Sequence, residues 1–454
     1  MKWLNKRVLV VGAGLSGQAA VHKLQRLGAE VFLTDKSSLE QLAGISDLGL
    51  DSEHLLVGRV PELTEMKPEL IVLSPGVSPK LSLVQEGIAQ NVPVWSEVEL
   101  AMYDCPALCI GVTGTNGKTT TTTLIGELAK QTGRPTVVAG NIGVALSGQV
   151  EGLGDNSIVV AELSSFQLEF IKQLRVHIAI LLNLTPDHLD RHGTLEDYLA
   201  AKARIFENQT GSDVAILNWD DPLVRKLGSK LKSRVLYFSP TMFLQEGISL
   251  NQDQIVYAGQ GKVIPIISRK ELQLRGTHNL ENVMASAAAA RALGLSWTEI
   301  ADGLAHFKGV EHRQEAVGTF DGILFVNDSK GTNTDAAAKA LLAFEEPLVL
   351  IAGGKNKGLD FHDFMKIVRD RVKSLVLLGM AAEEMTQAAR DEGVQRIIRA
   401  DSFADGVEKA IAEAVPGDVV LLSPACTSWD MFKSYEERGE LFKELVRRHY
   451  REPI

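Results

Sequence analysis

The sequence predicts an α/β fold in three domains, each built on a mostly parallel sheet. Three observations carry this. Short β-branched runs are followed by Gly-rich turns and then by helical stretches, the rhythm of βαβ units. The runs fall into three clusters along 454 residues, in line with about 150 residues per domain. They are near-continuous in Val, Ile and Leu, as strands covered on both faces require.

The first cluster comprises RVLVVGAG (7–14), AEVFLTD (29–35) and ELIVLSPG (69–76). The second comprises ALCIGVTG (107–114), SIVVAELSS (157–165), IAILLNLTPDH (178–188) and DVAILN (213–218). The third comprises GILFVNDS (322–329), PLVLIAGG (347–354), SLVLLG (374–379) and DVVLLSPA (418–425). Boundaries near residues 97 and 309 give domains 1–97, 98–309 and 310–454. Between residues 235 and 275 the pattern shortens, and NQDQIVYAGQGKVIPI predicts an antiparallel hairpin in the middle domain.

Composition narrows the class. The chain is 45% hydrophobic and 23% charged, as a globular protein is and a disordered one is not. The formal charge of −10 repels a phosphate backbone and argues against nucleic acid as a partner. Cys105, Cys109 and Cys426 form no Cys-x-x-Cys pair, so neither a disulfide framework nor a zinc site is expected. No signal-peptide pattern and no membrane-length apolar run is seen, so the expectation is a cytoplasmic protein. Nothing in the sequence demands more than a monomer.

Residues 12–17 read GAGLSG, a full G-x-G-x-x-G between a strand and a helix, with Asp35 about 20 residues on. Gly12 allows the tight turn, Gly14 lets backbone approach a pyrophosphate, and Gly17 permits close helix packing. This predicts a Rossmann-like N-terminal domain. The loop recognises phosphates, which leaves nicotinamide dinucleotides and other nucleotide diphosphates open. Ser74-Pro75-Gly76 ends a later strand of the same sheet, where such sheets bind ligands.

Residues 111–119 read GVTGTNGKT. The strict P-loop expression fails at its first glycine, which would fall on Val112, yet a strand still feeds a Gly-rich turn and a helix. Lys118 is placed to reach the β/γ-phosphates of ATP and Thr119 to ligate Mg²⁺. Glu162 follows a strand where a second, carboxylate ligand would sit. Asp187, His188 and Asp190 cluster at another strand end.

With these elements in view, the chain resembles the Mur ligases along essentially its whole length. These are ATP-dependent amide-forming enzymes of peptidoglycan precursor synthesis. The motifs are GTNGKT (114–119), GNIG (140–143), Glu162-Leu163-Ser164-Ser165, Asn183 with Asp187-His188, Tyr198 with Lys202, HNLEN (278–282) and His312-Arg313. In the third domain, VNDSKGTN (326–333), GGKNKG (353–358) and SPACTSWDMFKSYEERG (423–439) resemble the members that add D-glutamate.

The resemblance implies a P-loop-type central ATPase domain and a Rossmann-like C-terminal domain. It implies that ATP phosphorylates the alanyl carboxylate of UDP-N-acetylmuramoyl-L-alanine and that D-glutamate attacks the acyl phosphate. By the same resemblance, Gly114, Thr115, Asn116, Gly117, Lys118, Thr119, Thr120, Asn279, Asn282, Arg313, Asp328 and Lys330 bind ATP. Gly14, Leu15, Ser16, Asp35, Lys36, Ser74, Pro75, Gly76 and Asn141 serve the UDP-sugar or its reacting end. Thr332, Lys357, Ser428 and Tyr435 hold D-glutamate. Lys118, Glu162, His188 and Lys202 form the catalytic group. Two Mg²⁺ ions are implied, one on Thr119 and Glu162, the other placed by His188 and Lys202. In the family the matching lysine carries a CO₂-derived carbamate, which turns an ammonium that would repel Mg²⁺ into a carboxylate-like ligand. Tyr435 stands where relatives commonly carry Phe, and Lys36-Ser37 where some carry Thr-Arg. A dehydrogenase built on the first loop would leave the second unexplained. A non-catalytic nucleotide binder would leave Lys118, Glu162, His188 and Lys202 without a role.

Overall fold

The computed structural model describes residues 3–356 and 358–451, and only the backbone of Leu189 and Asp190. Three sheets are present among the described residues. The first is wholly parallel, in the order Leu55–Val57, Glu30–Asp35, Arg7–Val11, Leu70–Leu73, Val94–Ser96. The strand order reverses direction at Arg7–Val11, and the turn after that strand is the GAGLSG loop. A crevice at the carboxyl ends of such a switch point is where doubly wound sheets bind ligands.

The second sheet has nine strands. Its parallel part centres on Leu108–Thr113, flanked by Ile158–Glu162 and Ile178–Leu181. Gly247–Asn251, Gln254–Gly259 and Lys262–Ser268 extend it as an antiparallel meander, one strand more than the expected hairpin. Gln260 and Gly261, both at positive φ (54° and 72°), make the second turn in the form that matches strand twist. The third sheet has six strands, parallel except for Glu315–Phe320 at one edge.

The described chain forms two compact units. One holds the first two sheets with residues 281–305; the other holds residues 272–280 and everything from His306. Helix Thr277–Leu293 contributes to both.

Within the first unit, the short helix Glu97–Met102 joins the two sheets through two buried carboxylates. Glu99 accepts the backbone N–H groups of Lys172, Gln173 and Leu174 at 2.9, 2.8 and 3.0 Å. Glu97 accepts Ser147 N–H at 2.6 Å, and burial raises its pKa above the usual carboxylate range. Ser96 N–H donates to Phe170 O nearby. Charged acceptors on backbone donors make strong hydrogen bonds, and removing one partner from such a buried set is costly. No helix among the described residues is long and apolar enough to cross a membrane.

Candidate active site

Sheet register assembles the centre of the first unit. Glu162 is the partner of Val112 on one side of the central strand, and Leu181 is the partner of Thr113 on the other. The residues that follow these strands therefore surround the 114–117 turn. Gly114 and Gly117 adopt φ of +149° and +84°, open to glycine and strained for other residues. A Cβ on Gly117 would come within 2.2 Å of Asn282 Oδ1. Helix Lys118–Lys130 starts directly after the turn, with Thr119 and Thr120 buried in its first turn.

The turn is held from the side by Asn183 and Thr185. Asn116 N–H donates to Asn183 Oδ1 at 2.9 Å, and Asn183 Nδ2 returns to Asn116 O at 3.2 Å. Thr185 N–H donates to Thr115 Oγ1 at 3.0 Å. Lys118 Nζ folds back onto Gly114 O and Thr115 O at 2.9 and 2.7 Å. These carbonyls hold the ammonium over the turn, where a phosphate would compete for it.

Lys202, on helix Leu195–Ala203, is 1% exposed, and its Nζ donates to Gly114 O at 2.8 Å. Burial, with the Lys118 charge adding, pushes its pKa down to about 6, while Asp187 and Glu162 pull the other way. Tyr198, one helical turn earlier, places its ring 4.4 Å from Lys202 Nζ and hydrogen-bonds the Thr115 side chain. Glu162 is buried too. Its Oε1 accepts Asn141 Nδ2 at 3.0 Å, and its Oε2 has no partner.

An orphaned, buried carboxylate oxygen beside a P-loop is a hard, anionic donor that fits a divalent cation. His188 stands at the edge, half exposed and at φ 52°, its Nε2 3.6 Å from Asp187 Oδ2. No group of three or more His, Cys, Asp or Glu side chains is gathered for a metal among the described residues. The predicted set asks for only two of those types, Glu162 and His188.

The first glycine loop is a separate site in the same unit. A Cβ on Gly17 would lie 1.8 Å from Gly12 O, so only glycine lets the helix approach the turn. Ser74 Oγ donates to Gly12 O at 2.9 Å and fastens the 74–76 turn to the loop. Gly14 has open space beside it, and Leu15 is 75% exposed at the helix start beside Ser16. Asp35 accepts Ala13 N–H and Ser37 N–H, both at 2.8 Å, so its carboxylate shapes the loop itself. Lys36 follows Asp35 on the exposed side.

The second unit gathers the remaining residues. Asp328 is buried, accepts Ser423 Oγ at 2.6 Å and Gln314 N–H at 3.2 Å, and is pushed up to about 6 by burial. Arg313 lies close enough to oppose that rise, and its Nε is buried without a partner. Lys330 places Nζ 5.2 Å from the Tyr435 ring centre, and Thr332 N–H donates to Lys330 O. Ser428 is buried, and its carbonyl accepts Met431 and Phe432 N–H. Asn279 Nδ2 donates to Arg275 O at 2.7 Å. Lys357 and the Asp190 side chain lie outside the described residues.

Arg438 was not anticipated. It is buried and donates to Ser329 Oγ, Ser329 O and Cys426 O, tying the Asp328 turn to the Ser428 turn. Its signal in sequence is one charged residue in a mixed helix, indistinguishable from a solvated one.

Strand, glycine turn and helix together define a P-loop-type nucleotide-binding protein. Comparison with known proteins agrees. Residues 6–96 match the Mur ligase MurD-like N-terminal domain, residues 112–290 the Mur ligase middle domain, and residues 312–426 the Mur ligase glutamate ligase domain. The chain belongs to the Mur ligase family, and it is an ATP-dependent ligase. It is 70% identical over 449 residues to the UDP-N-acetylmuramoylalanine–D-glutamate ligase of Desulfitobacterium hafniense strain Y51, with 99% of each chain covered. It is 48% identical over 442 residues to the enzyme of that name from Pelotomaculum thermopropionicum, with 97% of each covered. Among solved structures, the UDP-N-acetylmuramate-alanine ligase of Thermotoga maritima shares the fold with a TM-score of 0.61 at 19% identity, covering 98% of this chain and 99% of its own. A MurF ligase of Thermotoga maritima in complex with ADP has a TM-score of 0.60 at 19% identity, with 99% and 96% covered.

Proposed function

We propose that this chain joins D-glutamate to UDP-N-acetylmuramoyl-L-alanine at the expense of ATP, in peptidoglycan precursor synthesis. The observation that carries the chemistry is the convergence on one turn of the P-loop, the unpartnered Glu162 oxygen and the buried Lys202 amine. The substrate pair rests on full-length likeness to ligases of that name. The three parts divide the work: residues 1–97 take the UDP-sugar, 98–309 take ATP, and 310–454 take D-glutamate.

In this reading the 114–120 turn and helix start cradle the phosphates, and Lys118 leaves its two carbonyls to meet them. Asn279, Asn282, Arg313, Asp328 and Lys330 are the further ATP-binding residues of this reading. Thr119 and Glu162 would hold one Mg²⁺, and His188 with a carbamylated Lys202 would hold a second. Magnesium, when bound, offsets the charge that keeps two anions apart. A carbamate forms on a free amine, and a lysine with a pKa near 6 is mostly free at pH 7.

The alanyl carboxylate oxygen attacks the γ-phosphorus, and the bond to the β–γ bridging oxygen breaks to release ADP. The D-glutamate amine then adds to the acyl carbon, loses a proton, and phosphate leaves. Asn141, held by Glu162, is placed to orient the acyl end. Gly14, Leu15, Ser16, Asp35, Lys36 and the 74–76 turn serve the UDP end. Thr332, Lys357, Ser428 and Tyr435 serve D-glutamate. One chain carries every residue this reading assigns, so the reading needs no more than a monomer, and its substrates are those of the cytoplasm.

The test is phosphate release with UDP-N-acetylmuramoyl-L-alanine and a panel of amino acids. Turnover with D-glutamate alone is expected. Turnover with L-lysine or diaminopimelate and none with D-glutamate overturns the assignment.

A further inference from the structure

Arg191 makes contacts that the reaction above does not use. Its Nη1 donates to Pro75 O at 3.2 Å, and its Nη2 donates to Glu169 Oε2 at 2.8 Å. The guanidinium lies 3.8 Å from the Phe166 ring centre, and the side chain is 15% exposed. One planar group therefore links three segments. Pro75 belongs to the turn after strand Leu70–Leu73, in the first sheet. Glu169 follows the strand that ends in Glu162. Arg191 itself follows the strand Ile178–Leu181, three residues after His188.

The links to His188 and Glu169 are stiff. Arg191 and His192 N–H both point at His188 O at 3.1 Å, which holds the turn in which His188 takes φ 52°. Glu169 is fixed from its other side by His192 Nδ1 at 3.4 Å, and the His192 side chain is almost fully buried. His192 Nε2 lies 2.9 Å from Ser165 Oγ, and its ring stacks on Phe166. Arg204 binds Glu169 O and Ile171 O, which anchors the same segment. The link to Pro75 is a single hydrogen bond to a carbonyl in the turn that Ser74 fastens to the glycine loop.

We propose that Arg191 is a positioning residue that couples the sugar-nucleotide turn at 74–76 to the His188 turn, so that UDP-sugar binding sets the geometry of the phosphoryl-transfer centre. This rests on the reading of those two turns given above. Lysine cannot replace it: a point-charge ammonium does not provide two parallel-plane donors and a flat face for Phe166. Glu169, which orients the guanidinium, belongs to the same device.

The experiment uses the full chain and two ligands, UDP-N-acetylmuramoyl-L-alanine and a non-hydrolysable ATP analogue with Mg²⁺, titrated by calorimetry alone and together. In the wild type, the first ligand is expected to tighten the second about tenfold, within the usual range of site-to-site coupling. Arg191→Lys and Glu169→Gln are each expected to abolish that enhancement while leaving affinity for the analogue alone within about twofold, and the double variant is expected to add nothing further. If Arg191→Lys melts early, Glu169→Gln carries the test. A wild type that does not bind the UDP-sugar overturns the functional reading as well. A wild type that binds both ligands without coupling overturns the inference alone, as do variants that keep the enhancement.

Discussion

Lys202 Nζ donates a hydrogen to the carbonyl of Gly114 at 2.8 Å, inside the turn that Lys118 also covers. Two lysines thus share one small polar site, and the buried one carries the depressed pKa. A structural lysine in a helix would snorkel outward. This one points inward, beside a carboxylate with an unpaired oxygen.

Lys202→Ala is expected to lower turnover by roughly a thousandfold, the scale of losing one electrostatic element of a transition state. Added formate or acetate is expected to restore part of it, because a small carboxylate can occupy the vacated position. Steady-state phosphate release with and without the acid measures this. A variant that stays dead at every acid concentration argues against a carbamate on Lys202.

Gly17→Ala places a Cβ 1.8 Å from the Gly12 carbonyl, in a backbone contact that cannot rotate away. Overpacking of this kind costs about 1–3 kcal/mol. The displaced loop is expected to raise KM for the UDP-sugar at least about tenfold, with KM for ATP at saturating UDP-sugar within about twofold, since each 1.4 kcal/mol is a factor of ten. Equal effects on both constants would show that the two loops are not separate sites.

Asp328 makes stability depend on pH in the unusual direction. Burial pushes its folded pKa up to about 6, above the ordinary value of 3.8. Between these values the folded state binds the extra proton, so stability falls as pH rises from about 4 to about 6 and stays lowered above that. The full shift corresponds to about 3 kcal/mol. Asp328→Asn keeps an acceptor for Gln314 N–H and removes the titration. Urea melts are expected to show the variant gaining on the wild type across that window and holding a constant lead at pH 7 and above. A pH-independent difference would contradict the assignment.

Much of this was legible in the sequence because it depends on local pattern. All eleven apolar runs became strands, since a both-faces-buried strand needs continuous Val, Ile and Leu. Leu55–Val57 and Glu315–Phe320 were missed because they are half exposed, and Ile397–Arg399 because it is only three residues long. The Gly114 and Gly117 turn was readable as glycines at a strand end. What the pattern hid was partnership across the fold. Glu99 reads as one surface-type acid in SEVEL, yet its carboxylate binds three backbone donors more than 70 residues away. Asn183, Thr185, Arg191 and Arg438 act in the same way, through tertiary contacts that leave no periodic trace. Asp35 shows the converse: its spacing from the glycine loop was plain, but both its oxygens are committed to backbone N–H groups.

The central claim is that the alanyl carboxylate is activated by phosphoryl transfer and then captured by D-glutamate. The most direct test starts from UDP-N-acetylmuramoyl-L-alanine carrying ¹⁸O in both carboxylate oxygens, with ATP, Mg²⁺ and D-glutamate. Mass spectrometry of the products is expected to find one ¹⁸O in the released phosphate and one in the new amide carbonyl. Amide product accompanied by phosphate without ¹⁸O would contradict the acyl-phosphate route.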